Sequence, residues 1–346
     1  VFTDFIHLAV ADAELLGAPL TVGAAMDRAL TKRCEDLDRA AGRLHHVTAH
    51  DALILLRASF SAPKLLHTLR TSPCSGHPAL ERFDAQLRSC VGTICNIDLS
   101  DIQWLQASLP VRNGGLGIRR VSSLAPSAFL ASAAGTRGLQ DQLLLKCQAS
   151  VDTAVTQVLA HWSTKHSSSG VTCPTGEAAA KQREWDTPSI TADAHTVMTS
   201  QSDRRHQARL LAVSAPHSGD WLHALPITSC GLRLDDEAVR VAVGLRLGAT
   251  LCEPHKCPCG SDVDAEGTHG LACRRSSGRT SRHHVINDLV WRSLLRADVP
   301  AVKEPAGLLR SDGKRPDGLT QIPWQSGRCM TWDVTVTDTL AESYLA

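Results

Sequence analysis

Residues 257–273 read CPCGSDVDAEGTHGLAC, and this stretch decides how the last quarter of the chain folds. Cys257, Cys259, His269 and Cys273 offer three thiolates and one imidazole within seventeen residues, which is the donor set of a tetrahedral zinc ion. His269 and Cys273 are four residues apart, a spacing that fits one helical turn or a tight loop. A closed set of four ligands predicts a structural zinc knuckle and leaves no coordination position for catalysis.

Two other interpretations of these residues stay open. Cys252 and His255 precede the knuckle and could replace one of its four ligands. The cysteines could also be unbound thiols in a core, although core packing rarely places four ligand types so close together.

The residues after the knuckle predict the beginning of an α/β domain. Residues 281–297 have the pattern of a helix. We expect its apolar residues to face inward and three arginines to face outward: Val285, Leu289, Leu294 and Leu295 against Arg282, Arg292 and Arg296. Short strands are predicted over residues 300–304, 315–320 and 329–336, and the last of them alternates apolar with polar residues.

Three acidic residues in these strands are candidate catalytic groups. Asp317 lies near the start of the second strand, Asp333 lies in the middle of the third, and Glu304 ends the first. A hairpin of the second and third strands would make Asp317 and Asp333 neighbouring hard ligands for Mg²⁺. Bound Mg²⁺ activates water and neutralises charge on a scissile phosphate. The spacing alone favours the competing interpretation, in which these carboxylates are surface or hydrogen-bonding groups.

Positive charge is concentrated beside these acids. Residues 274–315 contain ten Lys or Arg against four Asp or Glu, although the net charge of the whole chain is only +1. Phosphate is attracted by such a local excess rather than by the global sum. Arg282, His283, Lys314 and Arg315 are therefore candidate contacts to nucleic acid, with an ordinary solvated face as the alternative.

The first 250 residues are predicted to be mainly helical. Helices are expected over residues 24–47, 78–95, 122–134, 139–160, 203–213 and 235–247, with Thr48 and Asp235 as N-caps. Residues 110–117 contain three glycines and predict a loop, and residues 163–202 lack an apolar period, which predicts a linker or a loosely packed segment.

Composition limits the class of protein. A length of 346 residues with 43% hydrophobic residues predicts two or three globular domains. Most cysteines, such as Cys34, Cys90 and Cys147, are scattered singly, which is typical of reduced, buried thiols rather than of a secreted disulfide framework. No apolar run reaches the ~18 residues that span a membrane, and no secretory signal is present. We expect an intracellular protein, nuclear or cytoplasmic, and a fragment of a longer chain.

In combination these motifs resemble the C-terminal part of the polyprotein of non-LTR retrotransposons that carry a restriction-like endonuclease. The landmarks are ELLGAPL at 14–20, WLQASLP at 104–110, GGLGIR at 114–119, AVGLRLG at 242–248, the knuckle, DGKRPDG at 312–318 and WDVT at 332–335. The resemblance implies the end of the polymerase palm, thumb and post-thumb helices over residues 1–135. It implies a helical linker region over 136–250, a zinc knuckle over 251–278 and a truncated α/β restriction-endonuclease-like domain over 279–346.

The resemblance also implies activities and partners. Relatives nick target DNA with Mg²⁺ and reverse-transcribe element RNA, and their zinc knuckles contact nucleic acid. The Tyr/Phe-x-Asp-Asp motif of the polymerase does not occur in the sequence, so no polymerase activity is expected. Asp317 and Asp333 match the metal-binding carboxylates of the PD-(D/E)xK pattern, whereas Thr335 stands at the position of its lysine. In this family the lysine often comes from a later helix, which would lie beyond Ala346. We therefore expect no nicking by the chain itself; the alternatives are a non-catalytic zinc-dependent nucleic-acid-binding module and a decayed element copy.

Overall fold

The computed structural model describes residues 9–143, 152–167, 170–273, 275–309 and 313–340. The chain forms two compact units, Val1–Thr250 and Leu251–Ala346. The described residues are mainly helical and add small antiparallel sheets. None of the described helices combines the length and the apolar character that crossing a bilayer requires.

Helices make up most of the first unit, as the sequence predicted. They are α1 (Ala24–Leu44), α2 (Ala49–Leu55), α3 (Ala62–Thr71), α4 (Pro78–Cys95), α5 (Asp101–Ala107), α6 (Val121–Leu143), α7 (Thr153–His166), α8 (Gly176–Ala179), α9 (Gln182–Thr199), α10 (Arg204–Val213) and α11 (Asp236–Leu247). A two-stranded hairpin, β1 (Glu14–Leu15) and β2 (Ala18–Pro19), precedes them.

The core of this unit follows from helical spacing and capping. Met26, Leu30 and Leu37 of α1 are buried where α1 packs on α4. The side chain of Thr48 accepts the backbone N–H of Asp51 and begins α2, and Asp235 caps α11 in the same way, so both predicted N-caps are confirmed. Cys34 and Cys90 are buried free thiols, as predicted, whereas Cys147 lies outside the described residues.

The single helix predicted over residues 139–160 is wrong. Asp152 has an extended backbone, with φ of −67° and ψ of 100°, and helix α7 begins after it at Thr153. The reason is a strong start signal at Asp152, whose side chain accepts the backbone N–H groups of Ala154 and Val155.

The loose segment predicted over residues 163–202 is wrong where the structure describes it. Helices α8 and α9 occupy this region, and α9 packs on α6 and α5. Trp185 and Ile190 are buried, and the Trp162 indole N–H donates to the Trp185 carbonyl at 3.0 Å. Arg119 also pairs with Asp186 at 2.8 Å. This segment is stabilised by two tryptophans and an ion pair rather than by a continuous apolar stripe. The period of its apolar residues therefore did not predict its helices.

The second unit is small and mixed. Its elements are β3 (His255–Lys256), β4 (Asp262–Val263), α12 (His269–Ala272), α13 (Ser277–Arg296), β5 (Ala301–Lys303), β6 (Gly318–Thr320) and β7 (Thr331–Trp332). Strands β3 and β4 form a hairpin, and β5, β6 and β7 form an antiparallel sheet in that order, with α13 against β5. The strands lie where they were predicted but are shorter.

Helix α13 does not present the predicted face to the sheet. Val285 and Leu289 are each 65% exposed, whereas Asn287 is only 2% exposed. Arg282, expected to face outward, is partly buried and donates to the carbonyls of Gly278 and Leu271. The rotation has a physical reason, because the Asn287 amide finds two hydrogen-bond partners on the sheet.

Candidate metal centre and carboxylate pair

The four predicted zinc ligands lie together in the second unit. Within the described ranges, Cys257, Cys259, His269 and Cys273 form the one group of three or more such ligands, with all ligand atoms within 4.8 Å of one another. Cys257 Sγ is 3.7 Å from Cys273 Sγ, and Cys259 Sγ is 3.2 Å from His269 Nε2. Tetrahedral zinc, with bonds of about 2.3 Å to sulfur and 2.0 Å to nitrogen, separates its ligand atoms by about 3.5–3.8 Å. The four residues can therefore hold a metal ion such as zinc.

Local structure brings the two halves of the cluster together. The β3–β4 turn carries Cys257 and Cys259, where the Gly260 N–H donates to the Cys257 carbonyl at 2.8 Å and Gly260 adopts a φ of +94°. His269 and Cys273 lie one turn apart at the ends of α12, joined by a 2.9 Å hydrogen bond from the Cys273 N–H to the His269 carbonyl. Each half is therefore set by a few neighbouring residues.

The thiols of the turn differ in acidity. Hydrogen bonds from the side chain and the backbone N–H of Ser261 lower the pKa of Cys259 to about 6. The backbone N–H of Cys259 lowers the pKa of Cys257. Desolvation and the thiols of Cys259 and Cys273 together have the larger effect, so the pKa of Cys257 is raised. Because the thiolate is the metal-binding form, Cys259 is prepared for a cation at neutral pH.

The two substitute ligands lie outside the cluster. The Cys252 thiol donates to the Asp264 carbonyl at 3.3 Å, and His255 Nδ1 is 2.8 Å from the Glu253 carbonyl oxygen. Neither belongs to the group of four close ligand atoms.

The carboxylate pair is assembled by the sheet. Strands β6 and β7 pair antiparallel with Gly318 opposite Trp332, so Asp317 and Asp333 lie at the same end of the hairpin. The backbone N–H of Asp317 donates to Asp333 Oδ1 at 3.3 Å. The hairpin expected from the sequence is therefore present, and it makes the two acids neighbours.

Asp317 is the more constrained of the two acids. Its Oδ2 accepts the backbone N–H of Val334 and lies 3.1 Å from His283 Nε2. Glu304 approaches it through the backbone only, with its N–H 3.0 Å from the Asp317 carbonyl oxygen. In the described part of the chain, Glu304, Asp317 and Asp333 do not form a group of three ligand atoms close enough to share one ion.

Comparison with known proteins adds no relative. No protein-family model matches the chain, and no curated protein matches it.

The four candidate nucleic-acid contacts divide into two pairs. Arg282 donates to the Leu271 and Gly278 carbonyls, and His283 contacts the Asp317 carboxylate, so both form contacts within the second unit. Lys314 and Arg315 are exposed on the segment that leads to Asp317. The second pair is thus solvent-exposed, and the first pair joins secondary-structure elements.

Two residues of the site were missed in the sequence. Asn287 donates to the Asp317 carbonyl at 3.2 Å and accepts the Trp332 indole N–H at 2.9 Å. Arg275 donates to the Pro258 carbonyl at 2.6 Å, across the ligand loop. One signal was available for Asn287, because it lies four residues after His283 and therefore on the same helical face.

Proposed function

We propose that the second unit is a zinc-stabilised module that binds nucleic acid. The observation that carries the proposal is the four-ligand cluster whose last ligand, Cys273, leads directly into the basic helix α13. Two arginines tie the helix region to the knuckle, Arg275 through the Pro258 carbonyl and Arg282 through the Leu271 carbonyl. Zinc would thus fix the start of α13 rather than take part in a reaction.

The accessible cations of this unit supply the attraction for phosphate. Arg296, Lys314 and Arg315 are exposed, and they belong to the segment with ten basic against four acidic residues. Contacts between Lys or Arg and phosphate release counterions, so the affinity for DNA or RNA should fall with salt.

The test is fluorescence anisotropy with labelled DNA and RNA at a series of salt concentrations. We expect Cys257→Ser, or chelation of zinc, to abolish binding, whereas Cys329→Ser, an exposed thiol outside the cluster, should leave it unchanged. Lys314→Ala with Arg315→Ala should reduce the salt slope by about two. Full binding by Cys257→Ser after zinc removal would contradict the proposal.

A second candidate function is divalent-metal chemistry of the restriction-endonuclease type. The observation that favours it is the antiparallel pairing that makes Asp317 and Asp333 neighbours. The donor set fits Mg²⁺, which is usually held by one or two carboxylates with water completing the shell. Bound there, Mg²⁺ would supply an activated water and charge neutralisation at a phosphate. Asp317 and Asp333 would hold the ion, and the Val334 N–H would orient Asp317.

Position 335 does not supply the lysine that such a site uses. The PD-(D/E)xK pattern places a lysine there to stabilise developing negative charge, whereas the chain has Thr335. We expect no nicking of supercoiled plasmid in Mg²⁺. Nicking that disappears in Asp317→Asn but persists in Asp298→Asn, an exposed acid of the same unit, would contradict this expectation.

We infer a parent of the non-LTR retrotransposon reverse transcriptase and endonuclease class, with target DNA and element RNA as partners. Support comes from the landmark motifs, from the helical first unit that would correspond to thumb and post-thumb helices, and from a Cys/His cluster that precedes a helix and a small sheet. The reading frame tests it. A Tyr/Phe-x-Asp-Asp motif upstream and a lysine-bearing helix downstream would support the class, and an unrelated upstream frame would contradict it.

A further inference from the structure

A buried amide connects the chain at the two acids, which lie immediately before β6 and immediately after β7. Asn287 is 2% exposed, and it uses both ends of its side chain. Its Nδ2 donates to the backbone carbonyl of Asp317 at 3.2 Å, and its Oδ1 accepts the indole N–H of Trp332 at 2.9 Å. One partner is thus Asp317 itself, and the other is the residue immediately before Asp333.

Close packing makes this connection stiff. Trp332 and Gly318 are register partners, and a Cβ added at Gly318 would lie 1.9 Å from the Trp332 ring. The indole therefore lies directly against the backbone that follows Asp317, and Gly318 is required there for space. A change at Asn287 would be transmitted to both acids, because neither the ring nor the strand has room to adjust.

We propose that Asn287 is a positioning residue that sets the separation of the Asp317 and Asp333 carboxylates for a divalent cation. The proposal rests on the divalent-metal site proposed above. Leucine has the same branched shape and number of side-chain heavy atoms, and a leucine site would avoid the cost of burying an amide. The amide is useful here because its two hydrogen bonds end on Asp317 and on the residue before Asp333, as supporting contacts behind metal ligands do.

The experiment compares Asn287→Leu with Trp291→Phe in the full chain. Trp291 also joins α13 to the sheet, with its indole N–H 2.9 Å from the Ala301 carbonyl oxygen on β5, the strand that carries neither acid. Both variants lose contacts between α13 and the sheet, but only the first removes hydrogen bonds to Asp317 and Trp332. Mn²⁺ is the probe, measured by calorimetry on zinc-loaded protein.

We expect Asn287→Leu to weaken Mn²⁺ binding by at least about fivefold and Trp291→Phe to change it by less than about twofold. Trp332→Phe, which keeps an aromatic ring of smaller size but loses the indole N–H that binds Asn287, should weaken binding in the same direction. The combination of Asn287→Leu with Trp332→Phe should be less than additive, because the two variants remove a shared bond. Unchanged Mn²⁺ affinity in Asn287→Leu, with a lowered melting temperature, would reduce Asn287 to a packing role and overturn the proposal.

Hydrogen exchange separates this proposal from the metal site on which it rests. The Val334 amide donates to Asp317 Oδ2, so its exchange rate reports whether the acid keeps its place without any metal. We expect exchange at Val334 to accelerate by about tenfold or more in Asn287→Leu and to stay unchanged in Trp291→Phe. If the unaltered chain shows no Asp317-dependent Mn²⁺ binding, the divalent-metal site fails. The Val334 rate then still decides whether Asn287 positions the acids, and an unchanged rate would overturn that role as well.

Discussion

The two units of the chain differ most in what they bury. The first unit buries aliphatic and aromatic side chains from nearly all of its long helices. In the described part of the second unit, Val263, Cys273 and two prolines, Pro305 and Pro316, are the buried apolar residues. Large apolar side chains of the second unit are instead exposed: Val285, Ile286, Leu289, Leu295, Leu308, Leu309, Ile322 and Trp324.

The difference shows two ways of stabilising a fold. A large helical unit can rely on the area of its apolar core, but a unit with so small a core needs metal ligation or a polar network. The second unit has both, in the Cys/His cluster and in the hydrogen bonds of Asn287. The two units should therefore respond to different perturbations.

Loss of one zinc ligand should have the largest effect, and only in the second unit. Structural zinc contributes on the order of 10 kcal/mol to the folding of small zinc modules, so Cys257→Ser should unfold the second unit and leave the first folded. Hydrogen exchange followed by mass spectrometry resolves the two units, and Cys329→Ser is the matched control. If residues 255–273 are protected from exchange equally in Cys257→Ser and in the unaltered chain, zinc does not stabilise this unit.

A core truncation should give the opposite pattern. Trp185 is buried against Trp162 in the first unit, and Trp185→Ala should cost about 3–5 kcal/mol of unfolding free energy. Zinc binding by the second unit should not change. Trp324→Ala is the control, since that side chain is 55% exposed and its loss should cost less than about 0.5 kcal/mol. Urea unfolding measures both free-energy changes. A cost below 1 kcal/mol for Trp185→Ala would support the prediction that residues 163–202 are loosely packed.

The parts that sequence reasoning predicted are those set by near neighbours. The four zinc ligands lie within seventeen residues, and the caps at Thr48 and Asp235 act within three residues. The face of α13 was not predictable in this way, because the partners of Asn287 lie 30 and 45 residues away. An apolar period cannot show that a buried amide, and not Val285 or Leu289, faces the sheet.

Asp84 tests the first unit at a buried polar group and should have the smallest effect. Asp84 lies in α4 and is 3% exposed. Its carboxylate caps the start of α6 by accepting the Val121 N–H at 2.6 Å and the Ser122 N–H at 3.1 Å. In Asp84→Asn an NH₂ group replaces one carboxylate oxygen and faces a backbone N–H, so two donors oppose each other. We expect a loss of about 1–3 kcal/mol of unfolding free energy. Asp101→Asn, at an exposed ion pair with Arg88, should cost less than about 1 kcal/mol.

The pH dependence of the Asp84→Asn cost separates burial from hydrogen bonding. Burial raises the pKa of Asp84 to about 6, against the lowering effect of the Ser122 hydroxyl and the backbone N–H groups. An unfolded aspartate has a pKa of about 3.9, so the folded state binds this proton more tightly. Its contribution to stability is complete below about pH 4 and is lost as the pH rises through about 6. Asparagine lacks the proton, so the destabilisation by Asp84→Asn should be larger at pH 4 than at pH 7. Urea unfolding followed by circular dichroism over this range measures it. A cost that grows towards pH 7 would show that the hydrogen bonds to the carboxylate outweigh its burial.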